Sequence, residues 1–168
     1  VASDARRRLR GDARLPHRDT RRATLARLVG LGALLAAPPA RASSAAQPAA
    51  IAQPPAPGPA AFMERALELR RRAVDRGDQP FGAVIVHAGR IVGEGASGVL
   101  TTPDPTAHAE IEAIRDAARR LRTADLSGAE MYGTARACPM CQAAAYWARL
   151  ARLWHGESLV DGGAPRLP

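Results

Sequence analysis

Two short clusters hold the side chains best suited to chemistry: His108-Ala109-Glu110 and Cys138-Pro139-Met140-Cys141. Cysteines at i and i+3 bring both thiols to one side of a helix. A helix N-terminus favours the thiolate and lowers the thiol pKa, which suits a pair of metal ligands. Two thiolates and one neutral imidazole make a three-ligand zinc site with its fourth position open, as in catalytic sites. Such a centre is formally neutral. A hydroxide on it adds one negative charge, which two helix N-termini stabilise. Glu110, at i+2 from His108, points about 200° away on a helix of 3.6 residues per turn, so it suits a proton shuttle better than a rigid ligand. Two other readings of these residues stand. Cys-Pro-x-Cys at a helix start also fits thiol–disulfide exchange, and His87 or His155 offers a fourth ligand for a closed structural site. His87 closes one strand and His155 ends another, positions that read as surface, and His17 reads as solvated.

The elements that must position these clusters alternate helix and strand. Phe62, Met63, Ala66, Leu67, Leu69 and Val74 recur at helical spacing and stop at Gly77. Residues 81–87 and 90–94 are apolar, β-branched runs separated by Ala88-Gly89, which predicts a two-residue hairpin. Residues 95–103 read as a loop. Asp104-Pro105 then supplies an N-cap and a first-turn proline for a helix running to Leu121, with Ile111, Ile114, Ala118 and Leu121 as its apolar stripe. A strand is expected over 129–134, a second helix from Cys138 to Leu150, and a strand over 152–155. Strand, helix and strand in succession imply a right-handed parallel crossover, hence an α/β sandwich. Tyr132 and Trp154 read as core, and Arg70-Arg71-Arg72 and Arg119-Arg120 as solvated helix faces.

Charge and composition separate the 168 residues into three parts. Residues 1–60 hold ten arginines and three aspartates, while residues 61–168 hold fourteen arginines and thirteen acids, so the formal +8 belongs mostly to the leader. The near-neutral remainder argues against a nucleic-acid-binding domain, which needs clustered positive charge. Within residues 1–42, an arginine-rich start is succeeded by an apolar run from Leu25 to Ala37 and by Ala40-Arg41-Ala42. That is the layout of a secretory signal peptide, and Arg21-Arg22 resembles a twin-arginine export signal. The expectation is export to the periplasm, or a cytoplasmic protein if the leader is instead a basic tail. The run is too short to span a bilayer, which needs about 20 residues, so no stable membrane insertion is expected. Residues 43–60, rich in Ala and Pro, read as a disordered linker. Residues 61–168 read as the folded domain. Two cysteines make no disulfide scaffold.

The motif order H-x-E then C-x-x-C resembles the signature of zinc deaminases. The chain is similar to the cytidine/deoxycytidylate deaminase superfamily, and within it to the guanine and nucleoside deaminases. The residues that carry the likeness are Pro80 to Val86, Asp104 to Glu110, Cys138 to Cys141 and Tyr146 to Arg149. The resemblance implies a three-layer α-β-α cytidine-deaminase-like sandwich with a mixed sheet. It implies one zinc per chain on His108, Cys138 and Cys141, and a zinc-bound hydroxide as nucleophile with Glu110 as proton shuttle. The substrate it implies is a small-molecule purine base or nucleoside, guanine first, bound by Phe81, Ser97, Ala109 and Trp147. It also implies a homodimer with no nucleic-acid partner. The sequence departs from the family at three places: Ser97 stands where the family has Asn, Arg136-Ala137 stand where it has Glu-Pro, and the residues after 155 form a Gly/Pro-rich tail that leaves the domain short at its C-terminus. A tRNA adenosine deaminase, a non-catalytic relative and a thiol–disulfide protein are the alternatives.

Overall fold

The computed structural model describes residues 49–167, so the signal-peptide expectation for residues 1–42 lies outside the described residues. The described chain forms α1 (Pro59–Asp75), β1 (Gly82–His87), β2 (Arg90–Ala96), α2 (Ala109–Leu121), β3 (Glu130–Gly133), α3 (Pro139–Trp147), β4 (Arg152–His155) and β5 (Val160–Gly163). The sheet order is β2-β1-β3-β4-β5. Neighbours are antiparallel except β3 and β4, the parallel pair that α3 connects. This is the expected mixed sheet.

The layering stems from alternation along β1, whose side chains point to opposite faces in turn. Val84 and Val86 meet Phe62, Met63, Ala66 and Leu69 of α1 on one side. Ala83 and Ile85 meet α2 and α3 on the other, where Ala109, Ala113, Ala117 and Ala145 pack. A strand buried on both faces must be apolar throughout, and β1 is closed to solvent from Gly82 to Val86. The hairpin turn is as expected: Ala88 and Gly89 both have positive φ, 48° and 74°, the pair of values that a type I′ turn requires.

The buried stripe of α2 is the expected one only in part, at Ile111, which is buried, and Ile114, which packs on the core's flank. Leu121 is exposed and Ile114 and Ala118 are half-buried, while Ala109, Ala113 and Ala117 line the interface. The reason lies opposite, on β2. A Cβ on Gly95 would sit 2.0 Å from the Ala109 carbonyl oxygen, and one on Gly93 would sit 2.5 Å from that of Ala113. Helix and strand touch backbone to backbone, so small residues fill the contact and larger ones move to the flanks. Asp116 of α2 reinforces it by accepting the Glu94 N–H at 3.1 Å and pairing with Arg120 at 2.7 Å.

Four further expectations are corrected. The helix expected from Asp104 begins at Ala109, because Asp104 folds back on its own loop and accepts the Thr106 N–H and hydroxyl at 2.8 and 2.7 Å. That Asx turn competes with helix initiation. The helix α3 stops at Trp147 rather than Leu150, since Arg149 takes a left-handed φ of 63°. The tail after β4 supplies β5, paired antiparallel with β4. The supposed linker is anchored over its described part, where the Gln53 side chain accepts the Ile91 N–H at 2.8 Å and donates to the Ile91 carbonyl at 2.9 Å. Ile51 packs against the α1 cluster, so burial and paired hydrogen bonds offset the chain entropy of this stretch.

Asp78 secures the loop after β2. Its carboxylate accepts from Gln79 N, Ser97 Oγ, Leu100 N, Thr101 N and Thr101 Oγ1, all within 3.1 Å. Burial works to raise its pKa, but these donors together outweigh burial and hold it well below the usual carboxylate range. A depressed pKa stabilises the fold above the unfolded-state value of about 3.9, and the contribution is lost as pH falls through the folded-state value. Asp78→Asn is therefore expected to lower the urea midpoint at pH 7, with the gap to the parent closing below about pH 4. Gly95→Ala is expected to cost about 1–3 kcal/mol in the same measurement through overpacking. An unchanged midpoint would show that α2 does not press on β2.

Candidate functional site

The crossover β3-α3-β4 and the seating of α2 on β2 bring two helix N-termini to the same end of the sheet. His108 is the N-cap of α2, in extended conformation (φ −66°, ψ 149°), and Cys138 is the N-cap of α3 (φ −70°, ψ 170°). Their carbonyls accept the first helical bonds from Glu112 and Gln142, each at 2.9 Å. N-cap side chains are usually Ser, Thr, Asp or Asn bonded to the helix's own N–H groups. Here neither side chain makes a capping bond; both turn towards each other instead.

The result is a near-equilateral triangle. His108 Nδ1 lies 3.7 Å from Cys138 Sγ and 3.6 Å from Cys141 Sγ, and the two sulfurs are 3.6 Å apart. Zinc at about 2.3 Å from sulfur and about 2.0 Å from nitrogen, with tetrahedral angles, sets its donors about 3.5–3.8 Å apart. Donor set and spacing both fit one zinc ion. Among the described residues no fourth His, Cys, Asp or Glu joins the group. Three protein donors is the count of a catalytic zinc site, and neither His87 nor His155 completes a closed one.

Glu110 is buried beside this triangle. The expected helical angle between it and His108 does not apply, because His108 precedes the helix. Burial pushes the Glu110 carboxyl up, and its own backbone N–H, the His108 ring and the Cys141 thiol only partly oppose this. The Cys141 thiol is also pushed up, by burial first and then by the Glu110 carboxylate. A bound divalent cation supplies the missing compensation.

Glu110 also lines a cleft of about 320 Å³ bounded by Gly133, Ala135 to Ala137, Gln142, Trp154, His155 and β5. A Cβ on Gly133 would press on the Ala135 carbonyl oxygen at 3.2 Å and meet Glu110 Cγ only in ordinary contact at 3.9 Å. The four residues expected to bind substrate lie elsewhere. Phe81 and Trp147 are exposed, Trp147 by 72%, and neither is among the residues lining this cleft. Ala109 is buried in the cluster under α2. Ser97 is fully buried and donates its hydroxyl to Asp78 at 2.7 Å, so it holds a loop. His155, read as surface, and the end of β4 at Trp154 border the cleft, while the Trp154 indole packs with the α1 cluster as expected, stacked on Tyr132. The signal for His155 was its place at the end of β4, next to the second helix tip. Glu130 accepts from Trp154 Nε1 at 2.9 Å and from the Tyr132 hydroxyl at 3.0 Å, which fixes the indole.

Residues 59–157 match the family model for the cytidine and deoxycytidylate deaminase zinc-binding region. The chain belongs to this deaminase family. It is 43% identical over 101 residues to the guanine deaminase of Bacillus subtilis (strain 168), a stretch covering 60% of this chain and 65% of that protein. It is also 43% identical over 103 residues to the tRNA-specific adenosine deaminase of Agrobacterium fabrum (strain C58), covering 61% and 68%. The chain thus spans about two thirds of the length of these curated relatives. The solved structure of the Bacillus subtilis guanine deaminase superposes with a TM-score of 0.55 at 44% identity, covering 56% of this chain and 61% of that one. The deaminase fold and the three zinc donors agree with the sequence expectation. The purified chain is expected to hold about one zinc per molecule by elemental analysis. Cys141→Ser should weaken zinc binding by more than the 10–100-fold typical of changes one shell further out. Equal metal content in parent and variant would remove the triangle as the binding site.

Proposed function

We propose that the chain is a zinc-dependent hydrolytic deaminase that removes the exocyclic amino group of a purine base or nucleoside, with guanine as the leading heterocycle. The observation that carries this reading is buried Glu110, which meets the Cys141 thiol of the donor triangle and also lines the cleft. His108, Cys138 and Cys141 would hold the zinc, which when bound lowers the pKa of water towards about 7 and so provides a nucleophile at neutral pH.

The remaining work falls to the protein. Glu110 takes a proton from the attacking water and gives it to the ring nitrogen as the C–O bond forms. It then carries the second proton, from the hydroxyl now on the attacked carbon, to the amine as the C–N bond breaks, so one water is consumed for one ammonia released. Buried Glu110, beside the reacting water, is placed for both halves of that transfer. The N-termini of α2 and α3 favour the negative charge that develops beside them.

A second reading is supported by the Agrobacterium fabrum tRNA-specific adenosine deaminase, which matches at the same identity as the guanine deaminase. The charge balance of residues 61–168 favours the small-molecule reading. Ammonia release from guanine, guanosine, adenosine and a tRNA anticodon stem-loop separates the two. Glu110→Gln is expected to cut turnover by about 10²–10⁴-fold, with zinc content unchanged. Full activity in that variant would overturn the proton-shuttle role.

A further inference from the structure

The cleft beside Glu110 does not end at its rim. A second recess of about 460 Å³ adjoins it and shares Arg136, Ala137, Gln142 and Gly162 as walls. The outer recess has no acidic residue in its lining, and Arg136 and Arg166 bring two guanidinium groups to it. Neither guanidinium makes an ion pair or a side-chain hydrogen bond to protein among the described residues. Arg65 pairs with Glu94, Arg115 with Glu112, Arg149 with Asp125 and Arg152 with Asp161. What sets Arg136 and Arg166 apart from other exposed arginines such as Arg72 and Arg90 is that both line one recess. The pairing of Arg152 with Asp161 also takes up a carboxylate of the inner cleft that would otherwise oppose an anion. Gln142 accepts the Arg166 backbone N–H at 3.4 Å through its carbonyl oxygen, which leaves its NH2 group free to donate.

Two unpaired guanidiniums and an amide donor, with no carboxylate among them, form the chemistry that recognises a phosphate. Arg binds phosphate oxygens through paired, charge-assisted N–H donors. The inner cleft next to Glu110 is where the deaminase reading puts the heterocycle, and the outer recess opens from that cleft across the walls the two share. We infer that the substrate is a purine nucleoside monophosphate, with Arg136 and Arg166 as the specificity-determining contacts for its phosphate. This rests on the deaminase reading for the heterocycle, while the anion site rests on the arginine pair alone. It also accounts for Arg136, which stands where the sequence likeness leads one to expect Glu.

The test compares guanosine 5′-monophosphate with guanosine on the zinc-loaded full chain, by calorimetric binding and by ammonia release. The monophosphate is expected to bind more tightly and to show the higher kcat/KM, each by about 10–100-fold. Inorganic phosphate should compete with it, and added salt should weaken its binding more than that of guanosine. In Arg136→Gln/Arg166→Gln the preference for the monophosphate should collapse towards one, with zinc content and thermal midpoint as controls for folding. Equal handling of the two ligands by the parent, or a preference that survives the double substitution, would overturn the inference. So would preferential deamination of a single-stranded RNA oligonucleotide over the monophosphate. Arginine-dependent binding without ammonia release from any ligand would leave the anion site standing and remove the deaminase reading. Equal ammonia release from guanosine and its monophosphate would do the reverse.

Discussion

The alanine face of α2 rests on the bare backbone of β2, and the position of every reacting group depends on that contact. With Gly93 and Gly95 opposite Ala113 and Ala109, the helix sits as low on the sheet as two backbones allow. Its first turn therefore arrives at a height set by backbone atoms rather than by flexible side chains. His108 and Glu110 inherit that height, and the parallel step from β3 through α3 to β4 brings Cys138 and Cys141 to the same level. Interiors packed this closely transmit small displacements with little damping. A donor triangle with sides of 3.6–3.7 Å needs that stiffness.

The same helix ends break a local rule. A histidine and a cysteine occupy N-cap positions without capping, and forgoing a good cap typically costs about 1 kcal/mol. Conflicts between local preference and global structure concentrate at functional sites. Two of them, side by side and each removed by supposing a bound cation, are physical evidence for the metal that does not depend on the sequence motif.

Much of the fold is legible in the sequence because its signals are local and periodic. The apolar spacing of α1, the Ala88-Gly89 turn and the succession of β3, α3 and β4 all arise from patterns that survive in one dimension. The three donors and Glu110 are legible for a related reason, as two compact motifs in a fixed order. The start of α2 misleads because Asp104-Pro105 has the composition of a helix cap, and whether such an Asp caps a helix or closes an Asx turn is decided by its neighbours in space. The apolar stripe of α2 misleads because periodicity favours large residues, whereas the partner surface, glycine on a distant strand, selects alanines. The cleft is the least legible part. Its walls come from the loop at residues 135–137, the end of β4 and a glycine-rich β5, which share no periodicity and meet only through tertiary pairing. Resemblance alone assigns Phe81, Ser97, Ala109 and Trp147 to substrate, and none of the four lines the cleft beside Glu110.

Gln53 has a consequence for the behaviour of the molecule in company. The amide N–H and carbonyl of Ile91 belong to an outermost strand, and such groups are the foothold by which one extended chain adds to another. A carboxamide side chain has the same donor and acceptor as a peptide unit, so Gln53 fills that foothold from within the molecule. Growth of intermolecular sheet from this side would first have to displace it. A single side chain ahead of the first helix thus guards the domain against self-templated accretion at high concentration.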